Sequence, residues 1–474
     1  MKNLKFKIKN NQGYLLVSVL VFASIGVLVI GALTSWLGTN WRATTQMAER
    51  ERAFQIAEAG IEYYRWHLAH APLDFKDGTA VAGPYAHDFK DKDGNLIGSF
   101  ELTITPPLIG STLVTIASRG RVVGSTATRA IEAKMAVPSL AKYAVAANNV
   151  MRFGDGTVTV GPIHSNGGIR FDGVAQNLVS SAVATYDDPD HTGDNEFGVH
   201  THSGSADPLP PATMPSRTDV FTSGRQFPVP AIDFSGFTAD LAQIKTDAQS
   251  AGKYFGASGG SGYNIILKTN NTFDLQKVTS LVSPDSNCSS NGTTGWGTWS
   301  IRNTSAIGNY PIPTNGLIFL EDNVWVEGQI NNSRLTIVVA TFPETTNTSK
   351  SITINKNIIY TNYDGRDVIA LIAQKDINVG QVSNDNLRID ASLVAKNGRA
   401  GRYYYSGSCD YNSRNTLTLY GMIATNNRYG FAYVDGTGYD TRNLIYDGNL
   451  LYGPPPSFPL TAENYVVISW REIR

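Results

Sequence analysis

No charged residue occurs between Lys9 and Arg42. Within that window residues 14–37 read YLLVSVLVFASIGVLVIGALTSWL, long enough as a helix to cross a ~30 Å hydrocarbon core. Lys2, Lys5, Lys7 and Lys9 precede the run with no acid among them. That asymmetry predicts a cytoplasmic amino terminus, with everything after Leu37 outside. Trp36 and Trp41 fall at the outer interface.

Three readings of this start compete. A cleaved secretory signal has a shorter apolar region and a small-residue site after it, whereas helical sequence continues here. A plain signal-anchor fits the hydropathy. A prepilin-type leader, cut on the cytoplasmic side between Gly13 and Tyr14, fits the order of basic leader, glycine, aromatic residue and apolar helix. The next segment, WRATTQMAERERAFQIAEAGIEYYRWHLAHA, favours the third. It has no proline until Pro72, and Met47, Phe54, Ile61 and Leu68 recur every seven residues, with Ala57, Tyr64 and Ala71 beside them. These form one apolar face, expected to serve assembly. An unbroken helix over residues 14–70 would be about 85 Å long.

Gln12-Gly13-Tyr14, followed by Ala53-Phe54-Gln55-Ile56-Ala57-Glu58-Ala59-Gly60, resembles the amino-terminal region of type IV pilus minor pilins of the PilX kind and the related secretion-system K pseudopilins. The family string is A-F-x-x-A-E-A-[GA], and the resemblance covers about residues 11–68. It implies leader processing at Gly13 and Tyr14 by a prepilin peptidase, and a helix that enters a filament. It also implies other pilins or pseudopilins and an inner-membrane assembly platform as partners. Most pilins carry Glu at the fifth mature position, where this chain has Ser18. Without that carboxylate a subunit cannot neutralise a neighbour's amine inside the apolar filament core. Ser18 therefore suggests a place at the filament tip.

Downstream, residues 71–98 are rich in turns, and DKDGN within them lacks the spacing of a calcium loop. Alternating stretches at residues 99–105, 112–123 and 129–137 predict an antiparallel meander, closing a pilin-like domain at residue 138. The expected fold class is α+β: a long amino-terminal helix with a pilin-like sheet over residues 71–138, then a mainly-β head over 139–474. Forty-five glycines and a charged fraction of 17%, against roughly 25% in ordinary soluble domains, suit many strands and tight turns. Runs such as LIFLEDNVWVEGQI, ITINKNIIYT, VIALIAQKDINVG and LRIDASLVAKNG end on Asn, Gly or Asp. They predict a right-handed parallel β-helix or solenoid, with a β-sandwich as the alternative. Asn side chains would line up at its turns. Residues 180–231 read as a polar excursion and 235–255 as one helix.

Chemistry is sparse in the sequence. No nucleophile-elbow, zincin or phosphate-loop motif occurs, so no catalytic residue is expected. Asp364, Arg366, Asp367, Lys375 and Asp376 are the acids and bases that a glycan-cleaving β-helix would use. His191, His200 and His202, near Asp187, Asp188, Asp190, Asp194 and Glu196, are metal candidates. Alternate histidines on a strand point one way, yet such loops are commonly just solvated, so no cofactor is assigned and calcium stays open. Cys288 and Cys409 lie outside the membrane on this topology and are free to pair. The tyrosines of residues 402–405 and 429–439 offer either an adhesive surface or core packing. A net charge of −1 argues against nucleic acid.

The expected function is a minor pilin or pseudopilin-like structural subunit, anchored in lipid through residues 14–37 and displaying a head toward a surface glycan or protein. The alternatives are a membrane-anchored adhesin or envelope protein that never polymerises, and an exported β-helix polysaccharide-processing enzyme.

Overall fold

The computed structural model describes residues 12–139, 141–234, 240–286, 288, 295–345, 348–458, 460 and 464–473. The leader before Gln12 lies outside them. Two compact units form. One comprises residues up to Pro106, Val114–Met135 and the chain from Tyr465. The other comprises Pro107–Leu113 and Ala136–Asn464. The sequence boundary at 138 therefore misses two exchanges: residues 107–113 go with the second unit, and the carboxyl-terminal strand Val466–Ile473 goes with the first.

In the first unit a single helix, α1, runs over Gln12–His70. Its only interior glycines after the first turn are Gly26, Gly31, Gly38 and Gly60, and Pro72 bars continuation. The Ala71 N–H still donates to the His67 carbonyl at 2.8 Å. Its most apolar stretch has a mean hydropathy of 2.7 with none of that window buried. The second half packs on an antiparallel meander of β1 (Tyr85–Lys90), β2 (Leu96–Thr105), β3 (Val114–Val122) and β4 (Thr128–Ala136). Ile104 faces Ile116, and Ile116 faces Ala133. Phe100, Leu102, Val114, Ile116, Ile131, Ala133 and Met135 point to the helix side and are buried. The carboxyl-terminal strand lies beside β4 as a fifth strand, with Arg471 Nε donating to Glu132 at 2.9 Å.

The helix face differs from the seven-residue expectation. Ala53, Ile56, Ala57, Ile61, Tyr64 and Leu68 are buried, but Met47 is 71% exposed. Residues Ala57, Ile61, Tyr64 and Leu68 face the chain's own sheet and are covered by it, so they are not open to a neighbouring subunit. Residues 41–48 are exposed on every side, so Met47 lies on the stretch of α1 that precedes the part the sheet covers.

The second unit is built from ranks of parallel strands. In one rank, Lys253–Phe255, Leu317–Leu320, Arg334–Val339 and Val368–Ala373 pair in succession. The carboxyl halves of Asn386–Ala395 and Ser413–Thr425 follow. Val145–Ala147 then pairs with Ser413–Thr425, and Ile163–Ser165 and Val179–Ser181 continue the rank. The earliest strands of the unit thus stack on its latest. Ile265, Leu335, Ile337, Leu371, Ile389, Leu393, Leu417 and Ile423 are buried in one common core. Asn side chains line up at a turn as expected: Asn166 donates to Asn148 and Asn148 to Asn426, each at 2.9 Å.

Two expectations change here. The helix of residues 235–255 is shorter. The second helix, α2 (Leu241–Ala251), is capped by the Asp240 carboxylate on the N–H groups of Ala242 and Gln243, while residues 235–239 lie outside the described residues. Lys253–Phe255 is a strand, because its pairing with Ile318, Phe319 and Leu320 overrides helix propensity. Leu241, Ile244 and Ala248 bury the apolar face of α2 against Leu317, Phe319 and Val338. Residues 180–231 are not simply a surface excursion. Val199, Val220 and Phe221 are fully or almost fully buried, and Val199–His200 pairs in parallel with Ile169–Phe171.

Candidate functional site

A cleft of about 940 Å³ lies in the second unit. Strand ends from three parts of the chain build it. The arm after Val199–His200 contributes His202, the strands Met151–Phe153 and Ile169–Phe171 contribute Arg152 and Asp172, and residues 427–442 close the far wall. Charged side chains interlock along one side. Arg170 Nε meets Asp172 at 2.8 Å and its Nη1 meets Asp188 at 3.5 Å. Arg152 lies 3.5 Å from Asp190, and Arg428 forms a close pair with that same carboxylate. Burial pushes the Asp190 carboxyl up, but the Arg428 hydrogen bond and the charges of Arg428 and Arg152 outweigh it and hold it below the usual range.

Behind this wall sits the histidine cluster. Thr185–Tyr186 and Glu196–Phe197 pair antiparallel, and the loop between them is folded by Asp188. Its carboxylate accepts the Asp190 N–H at 3.0 Å, and its carbonyl accepts the His191 N–H at 3.0 Å. His191 is thereby brought over Glu196, with Nδ1 3.0 Å from Oε1. His202, whose N–H donates to Asp172 at 2.8 Å, places Nε2 3.4 Å from the same Glu196 oxygen. His200 is fully buried and turns instead to Asp188, 3.5 Å away. The alternate histidines therefore do not share a ligand point, because the strand ends at His200 and releases its alternation.

The other candidates separate. Asp364 and Arg366 pair with each other on the surface at 2.9 Å. Asp367 accepts the N–H groups of Ser333 and Asn362 at 2.9 and 2.7 Å, and Asp376 accepts that of Arg399 at 2.9 Å. These carboxylates hold turns. Tyr403, Tyr405, Tyr429 and Tyr439 are buried, Tyr404 and Tyr433 are half-buried, and Tyr429, Tyr433 and Tyr439 contribute to the cleft lining. Cys288 and Cys409 form a disulfide beside Tyr403, Tyr405, Trp296 and Trp299. Arg152, Arg170 and Arg428 escaped sequence reasoning. They converge from strands far apart in the chain, and nothing local marks them.

No protein-family model matches the chain, and no curated protein matches it. Among solved structures it is similar to the competence-associated pilin ComZ from Thermus thermophilus, with a TM-score of 0.33 and 12% identity, over 90% of this chain and 98% of that one.

Proposed function

We propose that this chain is a minor pilin-like subunit of a type IV pilus or related filament, anchored through residues 14–37 and carrying a bulky head at the tip. The observation that carries this reading is α1 itself. One unbroken helix has an apolar, wholly exposed first half and a second half seated on an antiparallel sheet. An exposed apolar helix must be covered by lipid or protein, and a filament core supplies both in turn.

On this reading, cleavage between Gly13 and Tyr14 by a prepilin peptidase precedes assembly from the inner-membrane platform, with the amino terminus inside and the head outside. Ser18 donates its hydroxyl to the Tyr14 carbonyl at 2.9 Å, so it brings neither charge nor an unmet donor into the core. The assembly surface is the apolar stretch of residues 14–41 together with Met47, which lie ahead of the part of α1 that the sheet covers. The strand ranks form a solenoid whose cleft binds a surface ligand, and the role is structural rather than catalytic. A tagged chain should appear in sheared filaments at low stoichiometry beside a major pilin. Its confinement to the membrane fraction of piliated cells would contradict the reading and favour the anchored surface protein.

A further inference from the structure

We propose that His191, Glu196 and His202 bind a divalent first-row transition ion, with zinc as the type case. Each of the three offers one donor atom, a ring nitrogen from His191 and from His202 and a carboxylate oxygen from Glu196, and these atoms all lie within 4.8 Å of one another. Bonds of about 2.0–2.2 Å to a tetrahedral ion place neighbouring donors roughly 3.3–3.5 Å apart. Of the two separations involving Glu196, that to His202, 3.4 Å, falls in this range, and that to His191, 3.0 Å, is short of it by a few tenths of an ångström. The His191 ring is partly exposed and can turn to close the third.

A second observation points independently to a cation. Glu196 is only 1% exposed, yet among the described residues neither of its carboxylate oxygens has a hydrogen-bond partner, and neither does His202 Nε2. The histidine nitrogens approach closely without hydrogen-bond geometry. A buried carboxylate left in that state costs several kcal/mol, which a bound cation would offset. The nearby Arg170 is already paired with Asp172 and Asp188, so its charge is compensated.

The donor set decides the class of ion. Two imidazoles and one carboxylate suit zinc, cobalt, nickel or copper. Calcium needs six to eight oxygens, and this site does not supply them. His202 also lines the cleft, so the remaining coordination position opens toward it, where water or a ligand donor completes the shell.

The test uses the full chain in detergent, without a polyhistidine tag, titrated with zinc and with cobalt at neutral pH. One ion per chain is expected, with the visible absorption of a low-coordinate cobalt–imidazole complex and a raised melting temperature. His191 is partly exposed on a loop, so His191→Ala should fold normally. It should lose more than the roughly 10- to 100-fold in affinity that removal of an outer partner costs. Glu196→Gln and His202→Ala should abolish stoichiometric binding, while His70→Ala, on the exposed end of α1, should leave it intact. No binding by the wild-type chain at micromolar metal would overturn the proposal. Affinity unchanged in His191→Ala would overturn it equally, whatever the other variants do.

Discussion

Gly120 of β3 lies directly against Ala53 of α1: a Cβ built on the glycine would overlap the Ala53 carbonyl oxygen and come within 2.5 Å of the Ala57 nitrogen. At Gly60 a Cβ would come within 2.8 Å of the Phe100 ring. The small residues of the Ala53–Gly60 string are thus explained by contact within the subunit. They let the helix backbone approach the sheet, while Ile56, Ile61, Tyr64 and Leu68 fill the spaces beside the crossing.

Gly120→Ala should therefore destabilise the first unit by about 1–3 kcal/mol, the usual cost of overpacking, because backbone cannot step aside as a side-chain tip can. Protease protection of residues 53–68 in the detergent-solubilised chain reads this out. Unchanged protection would show that the helix does not sit where the glycine requires it.

The Cys288–Cys409 disulfide spans a sequence separation of 121 residues and backs the cluster of Trp296, Trp299, Tyr403 and Tyr405. Replacing both cysteines with serine should cost about 2–4 kcal/mol. Peptide mapping with and without reductant should find the two cysteines in one linked fragment. Two free thiols in chain isolated from outside the cytoplasm would contradict this.

Arg334 is buried with no carboxylate bonded to it among the described residues, and its guanidinium donates instead to carbonyls. Those of Ile109, Gly453 and Pro454 lie at 2.6, 2.8 and 2.6 Å, and that of Gly365 is also bound. Burial pushes its pKa down to about 10. Arg334→Met keeps the stem but strands these acceptors, each worth about 1–3 kcal/mol when buried unpaired. A loss of at least ~3 kcal/mol in the second unit's stability is expected in denaturant titration.

Asp447 provides a pH signature. Burial raises its carboxyl pKa, and this outweighs the hydrogen bonds from the Asn449 backbone N–H, the Asn449 side chain and Tyr420. The unfolded chain then ionises first, near pH ~3.9. In that window the folded state holds the extra proton, so stability falls as pH rises through the folded pKa and levels off above it. Asp447→Asn keeps an oxygen for the Asn449 N–H at 3.0 Å and the Tyr420 hydroxyl at 3.1 Å. The variant should match wild type near pH 4 and melt higher at pH 7.5. A lower melting temperature at both values would contradict the sign.

Local pattern carried much of this architecture. The uncharged run and the proline-free segment after it define α1, alternation defines β2 to β4, and Asn-ended apolar runs mark strands that stack with Asn148, Asn166 and Asn426 in line. Relations between distant segments were not legible. Residues 466–473 read as a strand, but nothing local says that its partner is β4. Val145–Ala147 gives no hint that it stacks on Ser413–Thr425. At the candidate site, His191 and His202 stood out by type, whereas Glu196 gains meaning only once the hairpin returns it beneath His191. His200 misled, because strand alternation was extended one residue pair too far.

The most direct test of a pilin-like subunit is the mature amino terminus, read by mass spectrometry after co-expression with a prepilin peptidase. A chain beginning at Tyr14, with processing blocked by a bulky replacement of Gly13, is the expected result. A chain that retains residues 1–13 and remains in the membrane in the presence of active peptidase would contradict the account.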